Sequence, residues 1–190
     1  MIALLGKTCS GKNTILERLL REHPNLEKLI TYTTRPCRNG EVDGIDYNFI
    51  SDEEFDNLDF LEIFVAENGW KYGSILKDDN FMELFESRGS LDEYYKNHIL
   101  IITPSALLNY SRVFKNFLSI YISVDEETII HRQAVRGDNF VEAIRRRKSD
   151  EVDFQNLENI VDVVVDGTQN SENVFREIED VLMKRDVLAC

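Results

Sequence analysis

Gly6 and Gly11, with Lys12 directly after the second glycine, stand at the spacing G-x-x-x-x-G-K. The stretch Gly6-Lys7-Thr8-Cys9-Ser10-Gly11-Lys12-Asn13-Thr14 is suited to holding phosphate. Glycines let the backbone curl so that successive N–H groups point inward at an anion. A helix opening at the second glycine brings the positive end of its dipole to the same place. Lys12 adds an ammonium at the rim, in reach of the outer phosphates of a nucleoside triphosphate. By composition alone this spacing arises in roughly one chain of this length in twenty. Its flanks carry more weight. Met1-Ile2-Ala3-Leu4-Leu5 is apolar and of buried-strand length, and Ile15, Leu16, Leu19 and Leu20 recur at helical spacing. The bland alternative is a plain strand-to-helix turn. One residue departs from the strict motif: Asn13 stands where a Ser or Thr hydroxyl would hold Mg²⁺. Thr14 follows, but its place on the helix points it differently.

The elements needed to position this loop alternate along the chain. Leu29-Ile30-Thr31-Tyr32 reads as a short strand, 98–103 and 117–124 as buried strands, and 160–166 as the last strand. Helices are expected from the loop to the Pro24 stop, after Pro104-Ser105, up to Arg136, from the Gly137-Asp138-Asn139 break to about Lys148, and over 170–184. Ser123 with Glu126 reads as the capping box of the helix that reaches Arg136. This order implies an α/β fold with a parallel sheet flanked by helices. Residues 31–74 break the pattern. They are polar and glycine-bearing, then alternate, with a capping box at Ser51 and Glu54, a strand over 60–66, a hairpin turn at Asn68-Gly69 and a return strand over 70–72. A core of 1–30 and 75–190 with a small β-rich insert over 31–74 is expected. Residues 76–96 read as an acidic helix interrupted near Gly89.

The 190 residues carry a net charge of −13, which argues against a broad nucleic-acid surface. No window reaches membrane-spanning length, and the apolar N-terminal run lacks the basic lead of a signal peptide. Cys9, Cys37 and Cys190 lack metal spacing and read as reduced thiols in a cytoplasm. An anion loop is a setting that lowers a thiol's pKa, though a small filler is the commoner role for Cys9. His23, beside Pro24, is expected at the surface. The basic residues cluster on this acidic chain. Lys12, Arg18, Arg21, Lys28, Arg35 and Arg38 form one group; Arg132, Arg136 and Arg145-Arg146-Arg147-Lys148 form another. Small phosphorylated ligands suit such clusters.

The segments Thr33-Thr34-Arg35, Arg38, Gly40-Glu41, Asp43-Gly44, Asp46-Tyr47, Phe60-Leu61-Glu62 and Tyr72-Gly73-Ser74 follow the phosphate loop in a specific order. With them the chain resembles the guanylate kinases over nearly its whole length. The resemblance implies a P-loop kinase core, a nucleoside-monophosphate insert and a helical lid at about 136–150. It implies ATP on residues 6–14 and Mg²⁺ with it, and GMP in the insert. Arg35, Arg38, Tyr47 and Tyr72 match the family's holders of the GMP phosphate, and two guanidinium forks with two phenols suit a dianion. Glu62 matches the guanine-reading carboxylate, and Thr31 and Ser74 match hydroxyl positions near the base. Arg136, before Gly137, and Arg147 match the lid arginines that, with Lys12, clamp the transferred group. Arg132 is a weaker match for an ATP contact.

Two features depart from the family's pattern. The strand 98–103 ends without its usual Asp residues, and Thr103 stands at the guanine-contacting place. Mg²⁺ would then rest on phosphates and water, with Asn13 or Thr14 nearby. The connection at 75–97 is also longer than usual. A kinase for dGMP or another base, and a guanylate-kinase-like binding module without catalysis, are the alternatives. A monomer or homodimer, free of nucleic acid and membrane, is expected.

Overall fold

The structure is a computed structural model, and it describes residues 1–38, 40–66, 68–75 and 91–188. Strand β1 (Ile2–Leu5) is followed by helix α1 (Lys12–Glu22), then by β2 (Glu27–Lys28), β3 (Tyr32–Thr33), β4 (Asn48–Phe49), α2 (Asp52–Asp56), β5 (Glu62–Val65) and β6 (Lys71–Ser74). After these come α3 (Leu91–Tyr94), β7 (His98–Ile101), α4 (Leu107–Val113), β8 (Leu118–Ser123), α5 (Glu126–Arg136), α6 (Phe140–Asp153), β9 (Val163–Asp166) and α7 (Ser171–Lys184).

β1 is apolar throughout because both of its faces are buried. Successive side chains of a strand point to opposite faces. Ile2 and Leu4 pack with Ile15, Leu19, Val174, Phe175 and Ile178 under α1 and α7. Met1, Ala3 and Leu5 pack on the other face with Tyr94, Tyr95, Tyr110, Phe114 and Phe154. Each large side chain fully buried this way contributes about 1.5–3 kcal/mol. The sheet runs β2-β7-β1-β8-β9. Every pairing is parallel, for example Ile2 with both Ile99 and Leu118, and Ile120 with Val163. The chain leaves β1 toward β2 on one side and returns to β8 on the other. The order therefore reverses at β1, and the crevice past its C-terminal end is where such sheets bind ligands.

A second sheet runs β4-β3-β6-β5, with β5 and β6 an antiparallel hairpin. The capping box at Ser51 and Glu54 is formed in both directions. Gly69 takes φ 86° in the hairpin loop, and its N–H donates to the Ala66 carbonyl.

Several expectations give way. No strand spans the expected 29–32: β2, at 27–28, pairs with β7 in the first sheet, and β3, starting at Tyr32, joins the second. Ser123 is not a helix cap, because it still pairs with Asp166 at the end of β8. The Asp125 carboxylate caps α5 instead, accepting from the Thr128 N–H at 2.7 Å. α6 continues five residues past Lys148, with Asn139 as its cap. His23 is tucked in: its Nε2 lies 2.7 Å from Glu179, and its ring stacks on Phe175. The acidic helix expected at 76–96 lies outside the described residues up to 90; Leu91–Tyr94 within it is helical.

Candidate active site

The loop between β1 and α1 is curled by close approach. A Cβ on Gly6 would lie 2.3 Å from Ser10 Oγ and 3.2 Å from the Ile122 carbonyl oxygen, so a larger residue would force Ser10 and the loop to shift. Gly11 takes φ 94° as it opens α1, a conformation that side chains resist. Cys9 also has positive φ, 63°. Burial pushes its thiol pKa up, outweighing Arg136, Lys12 and Arg146, so the lowered pKa suggested by an anion loop does not hold. Lys12 Nζ donates to the Lys7 carbonyl at 3.2 Å. Desolvation lowers the Lys12 pKa, while the Asp150 carboxylate pulls the other way. The Thr8 N–H donates to Asp150 Oδ2 at 2.6 Å, so a carboxylate from α6 sits on the loop. Arg132 laces the loop to the end of β9. It donates to the carbonyls of Cys9 at 3.2 Å, Ser10 at 3.3 Å and Gly167 at 2.7 Å.

Two cavities meet at this loop. One, of about 600 Å³, is lined by Thr8, Cys9, Ser10, Gly11, Lys12, Asn13, Thr14, Arg132 and Arg136. The other, of about 760 Å³, extends under the second sheet, past Thr31, Glu62, Phe64, Trp70, Tyr72, Thr103 and Phe154. Thr8, Lys12, Arg38, Tyr47, Ile101 and Arg146 line both. A group passed from one cavity to the other would cross that junction.

The expected residues fall unevenly around it. Arg136 lines the loop cavity and is forked onto Asp138, with Nε 2.5 Å from the carboxylate. Arg147 lines neither cavity; its Nη1 donates to Gln133 Oε1 at 3.4 Å. Helical phase explains this. Arg146 and Asp150, four apart, share the face toward the loop, while Arg147 is rotated about 100° away. Arg35 is 4% exposed, lines neither cavity, and is gripped by Glu41 through two bonds of 2.8 Å. Those bonds hold the Glu41 carboxyl below its ordinary pKa. Tyr47 and Tyr72 meet edge to face at 6.1 Å.

Glu62 faces the far end of the larger cavity from β5. Burial raises its pKa to about 7, only partly offset by the Ser74 hydroxyl that donates to it at 3.3 Å. Thr103 Oγ1 is 2.9 Å from Ser105 Oγ. Sequence reading missed Arg146, Asp150 and the apolar walls Phe64, Trp70 and Phe154. The period-two alternation of β5 was a signal for Phe64, and the four-residue spacing was a signal for Arg146 with Asp150.

For a divalent ion, the protein donors near the loop are thin. Asn13 and Thr14 line the loop cavity, and no cluster of three His, Cys, Asp or Glu exists among the described residues. That set fits an ion carried in by a nucleotide's phosphates better than one caged by protein.

A parallel sheet whose first strand ends in such a loop, beneath an arginine-bearing helix, defines a P-loop kinase fold. The guanylate kinase family model matches residues 1–185. The guanylate kinase of Cutibacterium acnes is 29% identical over 172 residues, covering 86% of this chain and 80% of that one. The guanylate kinase of Symbiobacterium thermophilum is 32% identical over 152 residues, covering 77% and 67%. The crystal structure of guanylate kinase from Anaplasma phagocytophilum superposes with a TM-score of 0.66 at 24% identity, covering 97% and 84%. The chain belongs to the guanylate kinase family.

Proposed function

We propose that this chain transfers the γ-phosphoryl group of ATP to GMP, giving ADP and GDP. One observation carries the reading. The phosphate-loop cavity and the cavity ending at Glu62 share Thr8, Lys12, Arg38, Tyr47 and Arg146 at their junction. ATP takes the loop cavity. GMP takes the larger one, with its phosphate toward Arg38, Tyr47 and Tyr72 and its base toward Glu62, Thr31 and Thr103. Arg35 acts by holding that wall in place through Glu41.

An ionised Glu62 accepts from guanine N1–H and from the exocyclic N2–H₂. Adenine has no proton on N1, so it would leave a carboxylate oxygen unpaired, a large penalty in a buried site. No side chain need act as a strong base, because the GMP phosphate is itself the nucleophile. Phosphoryl transfer then rests on positioning and on cations around the moving oxygens. Lys12, Arg136 and Arg146 supply those cations, and closure of α6 would exclude water. Mg²⁺ bound with ATP neutralises phosphate charge. A cytoplasmic location, with ATP and GMP both at hand, suits this chemistry.

The test is ADP release with Mg²⁺-ATP against GMP, dGMP, AMP, UMP and CMP. Turnover with the two guanine nucleotides well above the others supports the reading. Turnover with another base overturns the role of Glu62. GMP binding without turnover points to a binding module, a reading that the intact phosphate loop disfavours.

A further inference from the structure

Tyr110 lies outside both cavities, on α4. Its ring is fully buried, stacked on Phe114 at 6.3 Å and on Phe117 at 5.7 Å. A phenylalanine would fill that space equally well, so the hydroxyl asks for its own explanation. A buried phenol needs a polar partner. Here the O–H donates to Ser74 Oγ at 2.5 Å. Ser74 is itself fully buried on β6, directly opposite Glu62 of β5 in the hairpin register. Its hydroxyl in turn donates to Glu62 Oε1 at 3.3 Å. The three groups form a directional relay from phenol to serine to carboxylate. It starts in the core of the parallel sheet and ends in the second sheet.

The direction matters. A serine hydroxyl left to rotate could accept from, or turn away from, its neighbour. With the phenol proton on its oxygen, the serine proton is committed to Glu62. That pins Oε1 of a carboxylate that lines the larger cavity. Thr103, another hydroxyl at that end, is engaged with Ser105.

We propose that Tyr110 is a positioning residue for guanine selectivity, acting through Ser74 on the orientation and charge of Glu62. The inference rests on the functional reading above. The raised pKa of Glu62 agrees with it: the carboxylate is desolvated, and the hydrogen bond from Ser74 is what favours its ionised form. The groups facing Glu62 are Ser74 from β6 and Tyr110 from α4, and the phenol's own pKa is raised by burial.

Tyr110→Phe removes the hydroxyl and keeps the ring. GMP binding by calorimetry and steady-state kinetics from pH 5.5 to 9 should be compared with the unaltered chain. The Kd and KM for GMP should rise about five- to tenfold, the worth of one hydrogen bond between neutral groups, with kcat and the KM for ATP within about twofold. The acid limb of kcat/KM for GMP should move to higher pH. Ser74→Ala should behave alike, and adding Tyr110→Phe to it should change little more, which keeps the test open if the tyrosine variant fails to fold. A Tyr110→Phe protein that loses only thermal stability, with GMP affinity and pH profile unchanged, overturns the proposal and leaves Tyr110 as packing. Absence of GMP binding by the unaltered chain overturns the functional reading, and the proposal with it.

Discussion

The Asp150 carboxylate accepts a hydrogen bond from the Thr8 amide, 2.6 Å away, and so stands as an anion on the loop built to hold anions. A nucleotide phosphate arriving there meets a like charge. Removing that charge should help. Asp150→Asn is expected to lower the KM for ATP about three- to tenfold, the range of a partly exposed charge interaction of roughly 1 kcal/mol. An ATP titration at saturating GMP measures it. A fall in kcat with a steeper need for Mg²⁺ would mean the carboxylate serves the metal instead.

Glu62 should make the enzyme sensitive to mild acid. In the proposed binding mode only the ionised carboxylate accepts both guanine hydrogens, and burial raises its pKa to about 7. Thus kcat/KM for GMP should rise with pH up to about 7 and level off above it, falling about tenfold per unit on the acid side. Stability runs the other way. A folded pKa raised above the ordinary 4.5 means that the folded state holds the proton more tightly. Stability is therefore lost as pH rises from about 4.5 to 7, and the full cost remains above that. Glu62→Gln should raise Tm by a few degrees at pH 8 and not at pH 4, while GMP use falls by orders of magnitude. An equal Tm change at both values would remove burial as the cause of the shift.

Much of this site was legible in the sequence because it depends on local rules. The apolar run, the glycine spacing and the helical periodicity placed β1, the loop and α1. Ser51 and Glu54 cap α2 as read, since a capping box involves neighbours in sequence. What escaped depends on tertiary contacts. Ser123 and Glu126 have the spacing of a box, but pairing with Asp166 holds Ser123 in β8. Nothing near His23 in sequence signals its burial, because its partners, Phe175 and Glu179, lie more than 150 residues away. Helical periodicity puts Arg146 and Arg147 on different faces, but only the docking of α6 decides which face meets the loop. Tyr110 carries no motif at all; its role depends on where α4 meets β6.

Arg35 and Glu41 should behave as one structural unit. Glu41→Gln strips the charge partner from a guanidinium that is almost wholly buried, while Glu41 itself is 21% exposed. Breaking a fully buried pair costs about 3–5 kcal/mol, so roughly 2–3 kcal/mol is expected here. The urea unfolding midpoint should shift accordingly. The Glu41 pKa is depressed in the fold, so its contribution is present above about 4.5 and is lost as pH falls below that. The difference between the variant and the unaltered chain should therefore shrink in acid. A constant difference down to pH 3 would show that shape, not charge, sets the effect.

The two neighbouring arginines of α6 should separate in kinetics. Arg146 lines both cavities at their junction, whereas Arg147 reaches back to Gln133 on α5. If Arg146 stabilises the charge that spreads over the moving phosphoryl oxygens, Arg146→Ala should lower kcat by about 10²–10³, with smaller changes in either KM. Arg147→Ala should lower kcat less than tenfold, because its loss acts through the α5–α6 contact. Arg146→Lys should recover part of the rate, since a point charge replaces the fork without its two-pronged geometry. The same two substitutions also report on closure. Were Arg147→Ala the more damaging, α6 would have to rotate by about a quarter turn or more on binding nucleotide, exchanging one arginine for the other at the junction.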